Sequence, residues 1–123
     1  MRIHAAALLL LATAMNAFSE PHHPISRAHA EQIARNYVAG ISKEHDFVIM
    51  DDRTVEKPFG WVFFYTTRRY LQTRDPNDLV PDSAPLVVLR ADGSLDHLST
   101  SVPPARAIEV YEKYWREKQA AGK

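Results

Sequence analysis

The hexapeptide Trp61-Val62-Phe63-Phe64-Tyr65-Thr66 restricts this chain's architecture more than any other stretch. In a strand, successive side chains point to opposite faces, so Trp61, Phe63 and Tyr65 share one face and Val62 and Phe64 the other. Both faces are large and apolar, which predicts a central strand. One side is expected on a helix, the other partly covered or available to a partner. Gly60 precedes the run and allows a bulge or close packing under the indole.

The flanking sequence supplies the covering elements. Ser26 is an N-cap candidate, and Ala30, Ile33, Ala34, Tyr37, Val38 and Ile41 recur at helical spacing. They predict a helix over Arg27–Ala39, with Gly40 as a left-handed cap. Phe47–Met50 reads as a short strand, Asp51–Thr54 as a charged turn, and Pro58 as an edge or a bend after Val55–Lys57. Arg68–Leu71 is expected to continue or re-enter the sheet, and 74–83 to form a loop with two prolines. Ala84–Arg90 is β-rich, Asp92-Gly93 marks a hairpin turn, and Leu95–Thr100 returns antiparallel. Pro103-Pro104 opens a second helix near Ala105, with Ile108, Tyr111 and Trp115 as one stripe. The order gives an α+β fold: an antiparallel four- to five-stranded curved sheet with an N-terminal helix packed on one face and a C-terminal helix.

The first residues read as an address. A cationic Met1–His4 precedes the apolar run Ala5–Ala14, then Ala17, Ser19 and Glu20-Pro21. This is the layout of a secretory signal peptide over 1–19, cleaved after Ser19 or Ala17, and it directs the product to the periplasm or outside. A helix of about 14 residues reaches only ~21 Å against a ~30 Å hydrocarbon core, so no stable membrane insertion is expected after cleavage. Residues 20–25 are expected to be a flexible lead-in, 26–118 a single domain and 119–123 a disordered tail.

Composition removes several function classes. The chain has 123 residues with 15 Lys plus Arg and 15 Asp plus Glu, so it lacks the cationic surplus of a nucleic-acid binder. Without cysteine there is no thiol catalysis, disulfide or Cys-ligated metal. There is no G-x-S-x-G elbow, and His97 on its strand reads as a sheet histidine. His97 with Asp92 or Asp96 lacks metal-ligand spacing. Pro21 deprives the His22-His23 pair of the backbone amide that an amino-terminal copper site needs. Asp51, Asp52 and Glu56 read as turn carboxylates. No catalytic residue, cofactor or metal is therefore expected. What remains is a recognition surface: Asp51, Asp52, Arg53, Glu56 and Lys57 before the aromatic strand, Trp61 within it, and Arg68, Arg69 and Tyr70 after it. Tyr, Trp and Arg anchor interfaces disproportionately.

The run Asp52-Arg53-Thr54-Val55-Glu56-Lys57-Pro58-Phe59-Gly60-Trp61-Val62-Phe63-Phe64-Tyr65 resembles the signature of the immunity protein 35 (YrhB-like) family of bacterial polymorphic toxin systems. Similarity continues through Tyr70-Leu71, Ala84–Val88, Asp92–Leu95 and the proline-led terminal helix with Tyr111-Glu112. Ser99-Thr100 and Asp82-Ser83 depart from the family's Gly-Thr and Gly-Asn pairs, both in loops. The resemblance implies a non-enzymatic inhibitor whose partner is a cognate toxin, with no contact residue assigned; the oligomeric state stays open. The export signal adds the expectation of a toxin acting on the cell envelope. A chaperone-like peptide-binding module and an envelope-acting enzyme are the alternatives.

Overall fold

The computed structural model describes residues 23–80 and 83–122. The forecast signal peptide, His22 and Asp82 lie outside them. Helix α1 spans Arg27–Ile41, β1 Phe47–Ile49, β2 Val55–Lys57, β3 Gly60–Phe63, β4 Tyr65–Thr67, α2 Arg68–Thr73, β5 Leu86–Leu89, β6 Leu95–His97 and α3 Pro104–Ala121. Single 3-10 turns occupy Asp51–Arg53 and Pro76–Asp78. The class is α+β. Among the described residues six strands form two antiparallel sheets, one ordered β2-β3-β5-β6 and one made of β1 and β4.

The aromatic run keeps its alternation but changes sheets. Trp61, Phe63 and Tyr65 join one buried cluster, and Val62 and Phe64 join the other. β3 is central, pairing Trp61 with Glu56 on one side and with Val88 on the other. Beyond Phe63 the chain leaves β5, and the Phe64 carbonyl accepts the Met50 amide at 2.8 Å. β4 then pairs with β1, Tyr65 opposite Ile49. One continuous apolar run thus serves two ladders.

Both faces of the four-stranded sheet are covered. α1 lays Ala30, Ala34 and Val38 against Trp61, Phe63, Leu86 and Val88. The small alanines at i and i+4 let the helix backbone approach the indole closely. On the opposite face, α3 contributes Ala107 and Ile108 to a cluster with Phe59, Val62, Val87 and Leu98. Burying large side chains on both faces is worth roughly 1.5–3 kcal/mol for each Phe, Leu or Val, which explains why neither face is left to solvent. The result is a three-layer arrangement, with the sheet in the middle.

Several local expectations need correction. Ser26 caps α1, its Oγ accepting the His29 amide at 3.1 Å, but the helix runs through Gly40 to Ile41. It stops where the Ser42 hydroxyl donates to the Val38 carbonyl at 2.7 Å. Arg68–Leu71 is helix, not strand: the Thr67 hydroxyl accepts the Tyr70 amide at 3.1 Å and so caps α2. The forecast tail at 119 is still helical to Ala121, because Gln119-Ala120-Ala121 are strong helix formers. The lead-in is fixed at its last residue, where the Ile25 amide donates to the Arg90 carbonyl at 2.9 Å. Leu98 points inward and His97 outward, 5.4 Å from the Tyr37 ring.

Candidate functional site

The structure divides the nine forecast residues between two regions. The first lies around the β1-β4 ribbon. Arg68 Nε donates to Asp46 Oδ2 at 2.7 Å and Arg69 Nε to Asp78 Oδ1 at 3.0 Å. Asp51 accepts from Arg35 of α1 at 2.7 Å. Tyr70 is half-buried under the Arg74 guanidinium, 5.8 Å from its ring centre, and Arg53 lies 5.3 Å from the Phe64 ring centre. Asp52 is exposed on the 3-10 turn. Every arginine here is held by a carboxylate or an aromatic ring, so the surface is ordered while its charges stay near water. Such exposed pairs contribute about 0–1 kcal/mol each.

Asp78 organises this region. The Thr73 hydroxyl donates to Oδ2 at 2.6 Å, and the Thr67 hydroxyl donates to the Asp78 backbone carbonyl at 3.0 Å. The Thr73 hydrogen bond, and after it Arg69, hold the Asp78 carboxyl below its ordinary range against an opposing desolvation. α2 and the following 3-10 turn are thereby locked to β4, and Arg69 is aimed from a braced support.

The second region is the β2 edge. Glu56 accepts from Arg90 at 3.1 Å, and the same guanidinium reaches the Lys57 carbonyl at 2.8 Å. It also stacks 4.4 Å from the Trp61 ring centre. Lys57 Nζ lies 3.8 Å from Glu112 of α3. Trp61 itself is 1% exposed, with Nε1 buried and unpartnered. Its place is therefore the core, and any partner would meet Arg90, not the indole. The alternation predicted one helix-covered face without saying which; α1 covers the face that carries Trp61.

A third surface escaped the sequence reading. Between α3 and the β5-β6 hairpin runs a groove of about 840 Å³, walled by Phe59, Tyr111, Tyr114 and Trp115. The Tyr111 hydroxyl donates to Asp96 Oδ2 at 3.0 Å. Burial, and after it the Asp96 carboxylate, push the Tyr111 phenol above its ordinary range. Across the Tyr111–Tyr114 ridge a second depression of about 550 Å³ is lined by Val102, Val110 and Leu98. Tyr114 and Val110 are half exposed. The signal was present: Tyr111, Tyr114, Trp115 and Lys118 recur at i, i+3, i+4 and i+7, one face beyond what Ile108 requires for the core. Among the described residues no group of three or more His, Asp or Glu side chains is placed to hold a metal.

Comparison with known proteins gives one family. The model of the family described as Immunity protein 35 matches residues 28–118, from the first turn of α1 into the last turn of α3. No curated protein and no solved structure matches.

Proposed function

Because the chain belongs to the immunity protein 35 family, we propose that it is an exported immunity protein that binds a cognate bacterial toxin and neutralises it by covering the toxin's active site or substrate path. The observation that carries this reading is the extent of the family match, which takes in every element that builds the three layers. Neutralisation by occlusion needs a rigid body with an ordered, charged and aromatic exterior, and no bond-making group. The export reading of Met1–Ser19 supports a periplasmic or extracellular site of action and a toxin directed at the cell envelope. No helix among the described residues is long and apolar enough to cross a membrane.

The proposed contact region is the ribbon end, with Asp51, Asp52, Arg53, Arg68, Arg69 and Tyr70, continued by Glu56 and Lys57 at the β2 edge. A tight complex covers about 1,200–2,000 Å² in total. Mixed charges already held in place cost little further ordering on binding and steer the encounter.

The test is binding to the toxin encoded beside the gene. Arg68→Glu with Arg69→Glu should weaken that complex at least tenfold, with the loss concentrated in the association rate at low salt. The melting temperature should move by only a few degrees, since exposed pairs carry little stability. A wild-type chain that ignores the toxin overturns the immunity reading; a double variant that binds normally overturns only the contact region.

One observation favours a second reading, a chaperone-like peptide-binding module. β6 is an edge strand with all three residues exposed, beside exposed Val102, Val110 and Tyr114. Such an edge accepts an added strand. Suppressed aggregation of several unrelated unfolded proteins would favour this reading over a single tight partner.

A further inference from the structure

α3 carries more apolar surface than the sheet covers. Its core side is Ala107 and Ile108, yet Val110 and Tyr114 are each 50% exposed, and Val102, just ahead of the helix, is 38% exposed. Beside them lies the depression of about 550 Å³, lined by Leu98, Val102, Ala107 and Val110, with Tyr114 on its rim. Residues 116–121 are helical and exposed throughout. Helices gain most of their stability by packing an amphipathic face, and this end has little such support from its own chain.

The charges on this face suit a copy of itself. At 3.6 residues per turn, Arg106, Val110, Tyr114 and Glu117 fall within an arc of about 80°. Val110 and Tyr114 lie two residues either side of Glu112, and Arg106 and Glu117 lie six and five residues either side. Two such helices packed antiparallel, about a two-fold axis level with Glu112, set Val110 of each copy against Tyr114 of the other. Arg106 and Glu117 occupy the same flank of that seam, so each arginine meets the other copy's glutamate. Arg106 now holds Glu109 at 3.2 Å, an exposed pair that costs little to rearrange. A two-fold interface needs a surface complementary to itself. Here Tyr114 is the projection and the depression beside Val110 its receptacle.

We propose that this face of α3 is the interface of a two-fold homodimer, with α3 antiparallel to its copy and Tyr114 seated in the other copy's depression. The rival geometry is strand addition at the neighbouring β6 edge. Asp96 is the middle of that strand's three residues, and two-fold pairing centred there would set two carboxylates directly opposite each other. A helix of 18 residues, about 27 Å long, supplies an interface at the lower end of the specific range, near 1,200 Å² in total. Dissociation is therefore expected in the micromolar range.

The experiment is sedimentation velocity on the full chain, from low to high micromolar concentration. A reversible monomer–dimer equilibrium is expected. Val110→Glu, at a half-exposed position, should weaken it at least tenfold while the melting temperature moves by only a few degrees. Arg106→Glu and Glu117→Arg should each weaken it severalfold, and the two together should return it close to the unmodified value. That rescue requires an antiparallel seam, because a parallel one would set each position against itself. A chain that stays monomeric at the highest concentration overturns the proposal. So does a dimer indifferent to Val110→Glu, or a double reversal no better than the single ones. A monomer whose binding of unfolded proteins is lost in Val110→Glu would give this face to the peptide-binding reading instead. None of these outcomes decides toxin binding, whose proposed contact residues lie off α3.

Discussion

Gly60 carries more constraint than its size suggests. Its φ is +147°, and a Cβ there would lie 2.1 Å from the Val88 carbonyl oxygen and 2.8 Å from the Arg90 amide. Both neighbours are backbone atoms of the paired strand and its exit, so nothing flexible can yield. Gly60→Ala should therefore cost about 3 kcal/mol or more, combining strained backbone with overpacking. Chemical denaturation would show it, and a loss under about 1 kcal/mol would mean that the β3-β5 pair can separate locally. Gly40 is the opposite case. It sits inside α1 without a positive φ, and a Cβ added to it would meet nothing within 4 Å. Gly40→Ala should stabilise by roughly 0.5–1 kcal/mol, seen as a higher denaturation midpoint at unchanged slope. The pattern of residues suggests Gly40 as a cap because glycine so often ends a helix; the hydroxyl of Ser42, two residues on, decides otherwise.

At the scale of elements, legibility followed periodicity. α1, α3, the Asp92-Gly93 turn and the two-faced character of 61–65 were readable because each repeats its spacing or carries a turn pair. α2 was not, since six residues are too few to show a helical stripe, and its deciding signal is the single capping hydroxyl of Thr67. The change of sheet at Phe64 was equally hidden: alternation fixes which face a side chain takes but says nothing about which ladder its backbone joins. The forecast recognition residues lie largely at the surface, apart from the buried Trp61, yet their pairings with Arg35, Asp46, Asp78 and Glu112 join residues distant in the chain in most cases and depend on tertiary geometry. α2 yields its own prediction. Because Asp78 has a lowered pKa when folded, it favours the folded state above its unfolded pKa of about 3.9, and that contribution is lost as pH falls through the folded value. Asp78→Asn should speed amide exchange in Arg68–Thr73 at neutral pH and erase the acid-side change in that exchange, with α1 and α3 unaffected. Unaltered exchange in α2 would show that the Thr67 cap alone holds it.

For the whole molecule, the outer layers are secured differently. α1 is bound by apolar contact with the indole face and by Arg35 on Asp51, outside the four-stranded sheet, whereas α3 has a polar tie to the sheet itself, the Tyr111 hydroxyl on Asp96 of β6. That tie gives the alkaline limb of stability a definite sign. The Tyr111 phenol is harder to ionise in the folded chain than in the unfolded one, so its contribution is complete below the unfolded pKa of about 10. Above that pH the unfolded chain releases its proton first, and the folded state loses stability progressively as pH rises towards the folded value. Tyr111→Phe keeps the ring against Phe59 and removes only the hydroxyl. It should cost about 0.5–1.5 kcal/mol at neutral pH, at the low end because Asp96 is solvent-exposed. Between about pH 10 and 12 its stability curve should fall less steeply than that of the unmodified chain, so the two approach each other. Denaturant midpoints across that range measure the difference directly. Parallel curves with a constant offset would mean that the hydroxyl contributes packing alone, and that the α3 layer is held by its apolar stripe as α1 is.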